Sequence, residues 1–184
     1  MTLGLACAAG CTKHPKTPEE ALQKIEQAVT SGDGLMAYAL IDDDTKHAVA
    51  SVYANDRTMR TIIKAKYPPQ EADRELGRLA DAEQPDAAHF FAAMENRWQS
   101  IQGYRKRLGS ISGPIKTKPD GATAMYVARQ DGMPFHLVKA GSGWAWNELR
   151  GEWAMEKDRA AHALKTVQDN AALYKADDKK DEAK

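Results

Sequence analysis

The chain is poor in cysteine, in long apolar runs and in any excess of charge. Its 184 residues include only Cys7 and Cys11, both within the first eleven. From Thr12 onward no disulfide, thiol nucleophile or cysteine-ligated zinc can be built. No stretch approaches the ~20 apolar residues a membrane helix needs. Lys and Arg number 26, Asp and Glu 26, and the formal net charge is +0. That balance argues against nucleic acid as a partner, which calls for a basic excess or stripe. The short basic clusters Lys64/Lys66 and Arg105/Lys106/Arg107 fit a solvated face.

Catalytic and cofactor motifs are missing as well. His14, His47, His89, His136 and His162 are scattered over different elements. They form no HxH or HExxH spacing, so no metal site is expected. No Walker loop or GxGxxG is present, and "GSG" at 141–143 reads as a hairpin turn. "GSISG" does not have the GxSxG spacing of a nucleophile elbow. No cofactor is expected.

What is present is an ordinary globular mixture, 42% hydrophobic and 28% charged. The length suits one domain with tails. Three regions are expected. Residues 1–16 form a signal remnant and polar tether, and 17–175 form a single α+β domain. Residues 176–184, "ADDKKDEAK", form a charged disordered tail. The domain divides into helices over 17–102, a β-meander over 103–149 and a helix over 152–175.

Helix signals are clear at the start. Thr17 suits the N-cap, Pro18 the first helical position and Glu20 the third, as in a capping box. Gly32 suits the left-handed C-cap. The triplet Asp42–Asp43–Asp44 lacks the alternation of a calcium loop and is expected to cap the next helix. That helix runs to Lys66, where "YPP" stops it. Pro85–Asp86 opens another, with Phe90, Phe91, Met94 and Trp98 as a buried stripe. From Gly103 short apolar runs alternate with Gly-rich turns, the pattern of an antiparallel meander. Phe135 and Leu137 fall on one strand face, His136 and Val138 on the other. Trp144 and Trp146 share a face, which either covers the helix layer as core or lines a pocket or partner surface.

Two resemblances add to this. "AAGC" before the polar "TKHPK" resembles the lipobox of bacterial lipoproteins, with Ala8 where Leu is commonest. It implies a lipidated Cys11, membrane attachment, and a periplasm-facing place in the bacterial cell envelope. "TPEEALQKIEQAVTSGDGLMAYALID" and "MPFHLVKAGSGWAWNEL" resemble the opening and the terminal hairpin of nuclear transport factor 2-like domains. That family implies helices packed on a curved antiparallel meander that forms a cone. The long helical insert and the C-terminal helix extend its minimal pattern.

The expected function is non-catalytic binding of an envelope protein or small apolar ligand. The expected surface comprises Tyr126, Phe135, His136, Trp144 and Trp146. One alternative is a pocket enzyme of isomerase or cyclase type with His136 as acid/base, partnered by Tyr126 or Asp33. Another is a structural assembly protein that associates through its long helices.

Overall fold

The computed structural model describes residues 14–109, 111–117, 124–129 and 134–181. Helices come first, then an antiparallel sheet, then a long C-terminal helix.

Local capping sets the helix starts. Helix α1 (Pro18–Ser31) begins where Thr17 Oγ1 accepts the Glu20 N–H at 3.2 Å. The Glu20 carboxylate reaches back to the Lys16 N–H at 3.1 Å, one residue before the usual partner in a capping box. Gly32 ends the helix at φ 68°, a left-handed conformation that costs glycine little. Helix α2 (Gly34–Leu40) starts on Asp33, whose Oδ1 accepts from the Met36 N–H at 2.9 Å. Helix α3 (Asp43–Lys66) starts on Asp42, which takes both the Thr45 N–H and the Thr45 hydroxyl. The acidic triplet thus opens a helix, where the positive end of the dipole favours it.

Helix α4 (Pro69–Arg78) leads into a short 3-10 turn, Ala80–Glu83. Arg60 of α3 is buried beneath this region. Its Nη1 donates to the carbonyls of Leu76 and Leu79, each at 3.0 Å, and its Nη2 pairs with Glu83. Arg60 is thus a second donor to these carbonyls, which also accept the N–H groups of Leu79 and Ala82 at 3.2 and 3.1 Å. Helix α5 (Ala87–Trp98) is capped by Asp86 and buries Phe90, Phe91 and Met94.

The expected start of the meander at Gly103 is corrected. Helix α6 (Ser100–Gly109) occupies this stretch, and strand β1 begins at Ile111. Ile101, Tyr104 and Leu108 lie three and four residues apart and are all buried. That spacing puts them on one helical face against the core, which a strand could not do. Gln99, at φ 56°, separates α5 from α6.

Strands β1 (Ile111–Thr117), β2 (Ala124–Arg129), β3 (Pro134–Ala140) and β4 (Gly143–Trp146) pair antiparallel in the order β1-β2-β3-β4. The register slips between Ile111 and Ile115, around a Gly113–Pro114 pair whose proline has no N–H to give the ladder. The alternation expected in β3 is present. Phe135 and Leu137 are fully buried, and His136 and Val138 are half-buried.

Helix α7 (Arg150–Asp181) is the last element. The tail expected to be disordered from residue 176 is helical to Asp181. Helix α7 lies beside α3 and parallel to it. At their starts Arg150 pairs with Asp44 at 2.5 Å. Near their ends the Tyr67 hydroxyl donates to the Val167 carbonyl at 3.3 Å, and the Tyr67 and Tyr174 rings meet edge-on at 4.9 Å. Asp56 of α3 lies near Glu156 of α7 and Arg97 of α5. Burial, then the nearby Glu156 carboxylate, push its carboxyl up to about 6.

Candidate functional site

The five residues expected to form a binding surface do not share one surface. Phe135 and Trp146 are completely buried, and Trp144 is 5% exposed. Trp146 stacks on Phe135 with ring centroids 6.4 Å apart and meets Tyr104 edge-on at 5.1 Å. Trp144 lies under the Lys139 ammonium at 5.2 Å from its ring centre. These three residues belong to the core side of the sheet, which corrects the binding-surface expectation for them and leaves the core alternative for Trp144 and Trp146. Successive residues along a strand point to opposite faces, and the face these three share is the one that meets Tyr104 of α6. Tyr126 sits across from His136 in the ladder; its side chain lies outside the described residues.

His136 is on the opposite face. Its Nδ1 is 3.0 Å from Glu148 Oε1, and its backbone N–H donates to the same oxygen at 2.9 Å. The Glu148 side chain is 9% exposed and that of His136 36%. In the neutral imidazole this contact favours a proton on Nδ1, leaving Nε2 as an acceptor. Asp33, a sequence candidate for His136's partner, is instead the α2 cap. Glu148 was missed because it follows β4 in sequence and meets β3 only through the tertiary fold. Beside this face, Asp43, Asp44, Val138, Lys139, Gly141 and Arg150 bound a groove of about 320 Å³.

The second structured feature is the chain just before α1. Pro15 is buried, and its carbonyl accepts the Trp144 N–H at 2.9 Å. The free edge of β4 is therefore covered by this segment. Two residues further along the same edge, the Asp42 N–H donates to the Trp146 carbonyl at 3.0 Å. Gly143 permits the approach. A Cβ there would lie 2.6 Å from His14 Cβ and 2.8 Å from the carbonyls of His14 and Pro15. The polar tether expected over 12–16 is thus part of the packed domain from His14 onward. Cys11, the expected lipidation site, lies outside the described residues, three positions upstream.

Comparison with protein-family models, curated proteins and solved structures returns no match for this chain. Among the described residues no helix is long and apolar enough to cross a membrane. Nor do three or more His, Cys, Asp or Glu among them gather in a way that could hold a metal ion.

The docked segment carries its own titration. His14 Nε2 lies 3.5 Å from Lys46 Nζ and 3.9 Å from Asp43 Oδ1, while its Nδ1 is buried with no hydrogen-bond partner. Burial, then the Lys46 ammonium, hold the His14 pKa below 6.5, against the weaker pull of Asp43 and Asp42. Below pH 6.5 the unfolded or undocked chain therefore takes up the proton more readily than the docked one. Stability of the docked segment is full above that pH and falls as pH drops below it. Amide exchange at Trp144, corrected for its intrinsic pH dependence, is expected to lose protection between pH 7 and 5. His14→Gln, which has no charge to gain, is expected to flatten that profile; an unchanged profile in the variant would refute the assignment.

Proposed function

We propose that this chain is a lipid-anchored cell-envelope protein whose α+β domain binds a partner without catalysing a reaction. The scaffold proposed is a nuclear transport factor 2-like one, enlarged by the helices between Asp42 and Gln102 and by α7.

One observation carries the non-catalytic reading. Among the described residues, the inner face of the sheet is filled by Phe135 and Trp146 packed with Tyr104 of α6, and the space between α5 and α7 by Phe90, Phe91 and Trp153. An isomerase or cyclase acting through His136 requires an apolar cavity beside the acid/base group. Here His136 lies on the other side of the sheet, against Glu148. The groove between the start of α3 and the end of β3 is rimmed by Asp43, Asp44, Lys139 and Arg150. Charges of both signs suit a polar protein segment better than a small apolar ligand. The assembly alternative, through the long helices, is less favoured because α3 and α7 already bury faces against each other.

The anchor is proposed from the lipobox-like "AAGC" and from the short leash to the domain. Three residues of chain span at most ~11 Å from Cys11 to the docked His14. The pole carrying Gly143 and the start of α3 would then sit close to the bilayer. Intact-mass analysis of the protein recovered from its native cells tests this. A diacylglyceryl or triacyl mass on Cys11, removed by Cys11→Ala, is expected. An unmodified Cys11, or a lipid mass that survives the substitution, overturns the anchor.

A further inference from the structure

We propose that the cleft between α3 and the 3-10 turn is a binding site for a phosphate group carried by a small soluble molecule. The cleft has a volume of about 350 Å³, and one wall is a single face of α3. Arg57, Arg60, Thr61 and Lys64 lie on it at i, i+3, i+4 and i+7, the spacing that aligns side chains along one side of a helix. The other wall is Ala82 to Pro85.

The charges in this cleft do not cancel. Glu83 is the acidic residue of the lining, and it is paired with Arg60. Arg57 is steered by a neutral group. Its Nη1 donates to the Tyr53 hydroxyl at 3.3 Å, and its guanidinium stands 5.5 Å from the centre of that ring. Among the described residues neither Arg57 nor Lys64 has a carboxylate partner. Two uncompensated cations thus border a concave polar space, and a third is fixed at its base. A planar guanidinium fork beside an ammonium is the donor set that phosphate oxygens accept best.

The walls are held before any ligand arrives. The Tyr53 hydroxyl donates to the Gln84 carbonyl at 2.6 Å, which ties the far wall to α3. Arg60 ties the same wall to α3 through Glu83, and α4 through Leu76 and Leu79. Such preorganisation lowers the cost of ordering the site on binding. The cleft lies about 25 Å along α3 from the docked N-terminal segment, so the two sites can be perturbed separately.

The test is titration of the full chain with inorganic phosphate and with glycerol phosphate, at constant ionic strength with chloride as control. Amide resonances of residues 57–64 and 82–85 are expected to shift saturably. Arg57→Gln/Lys64→Gln is expected to weaken binding about tenfold or more. Both side chains are exposed, so this variant keeps the fold, and Arg60 is left in place because α4 depends on it. No saturable shift, or equal binding in the variant, overturns the proposal. A parallel arm uses phosphatidylglycerol vesicles. Vesicle binding that needs Arg57 and Lys64, without a response to free phosphates, overturns the soluble source and assigns the phosphate to a lipid headgroup.

Discussion

Trp153→Ala is expected to remove about 3–5 kcal/mol of stability, the range for deleting a large buried aromatic. Trp153 is fully buried. Its ring packs against Phe91 at 5.4 Å, Trp98 at 5.5 Å and Phe90 at 6.4 Å. It is also the point at which α7 is joined to α5. The indole Nε1 donates to Glu95 Oε1 at 3.1 Å, and Glu95 is only 2% exposed. The second oxygen of Glu95 accepts from the Ser100 hydroxyl. Burial pushes the Glu95 carboxyl up, and these two donors oppose that rise. Truncation therefore leaves both a cavity and a buried carboxyl short of a donor. A domain stable by ~5–15 kcal/mol loses a large fraction of its margin. Urea unfolding followed by far-UV circular dichroism measures it. Trp153→Phe separates the terms, since it keeps most of the apolar volume and loses the N–H, at a cost of about 1–3 kcal/mol. A loss below about 1 kcal/mol in the alanine variant would refute this role for Trp153.

Gly143→Ala is expected to expel the N-terminal segment from the edge of β4. The added methyl would sit 2.6 Å from His14 Cβ and 2.8 Å from two carbonyl oxygens, and neither carbonyl is the end of a flexible side chain. Backbone must move, and overpacking of this kind costs ~1–3 kcal/mol. The segment before α1 is the side that yields, because β4 is held by β3 and by Asp42. The Trp144 N–H then loses the Pro15 carbonyl, and the strand edge is bared. Trypsin cleavage after the exposed Lys16 should rise about tenfold or more, which corresponds to ~1.4 kcal/mol of lost docking. Cleavage at the wild-type rate would show that the segment and strand accommodate the methyl. If Cys11 carries lipid, the same variant lengthens the leash and frees the domain's orientation at the bilayer.

Neither prediction follows from composition or motif. The helix starts do. Thr17, Asp33, Asp42 and Asp86 each accept an N–H three residues on, and Pro68 closes α3 because proline has no N–H and its ring clashes with the preceding turn. The β3 alternation is equally local, since Phe135 and Leu137 differ from His136 and Val138 by strand pleat alone. Helix α6 was hidden for a related reason. Gly103 and Gly109 bracket a basic run, and only burial of Ile101, Tyr104 and Leu108 distinguishes a helix from a strand there.

The candidate sites show the same division. Sequence placed His136 on the face away from Phe135, and it linked Trp144 with Trp146. It does not tell which face the helices cover, so core and binding surface both stay open for the tryptophans until their burial is seen. The Glu148 partner of His136, the Glu95–Trp153 bond and the facing walls of the Arg57–Lys64 cleft join residues 12, 58 and about 20 positions apart. Chain-local chemistry by itself determined the caps, the stops, the strand faces and the confinement of both cysteines to the first eleven residues. Only tertiary packing decided which face became core, that His14 and Pro15 close the sheet edge, and which cations were left without partners. Capping and pleating act within a few residues, whereas desolvation and ion pairing depend on segments that the chain brings together only when it folds.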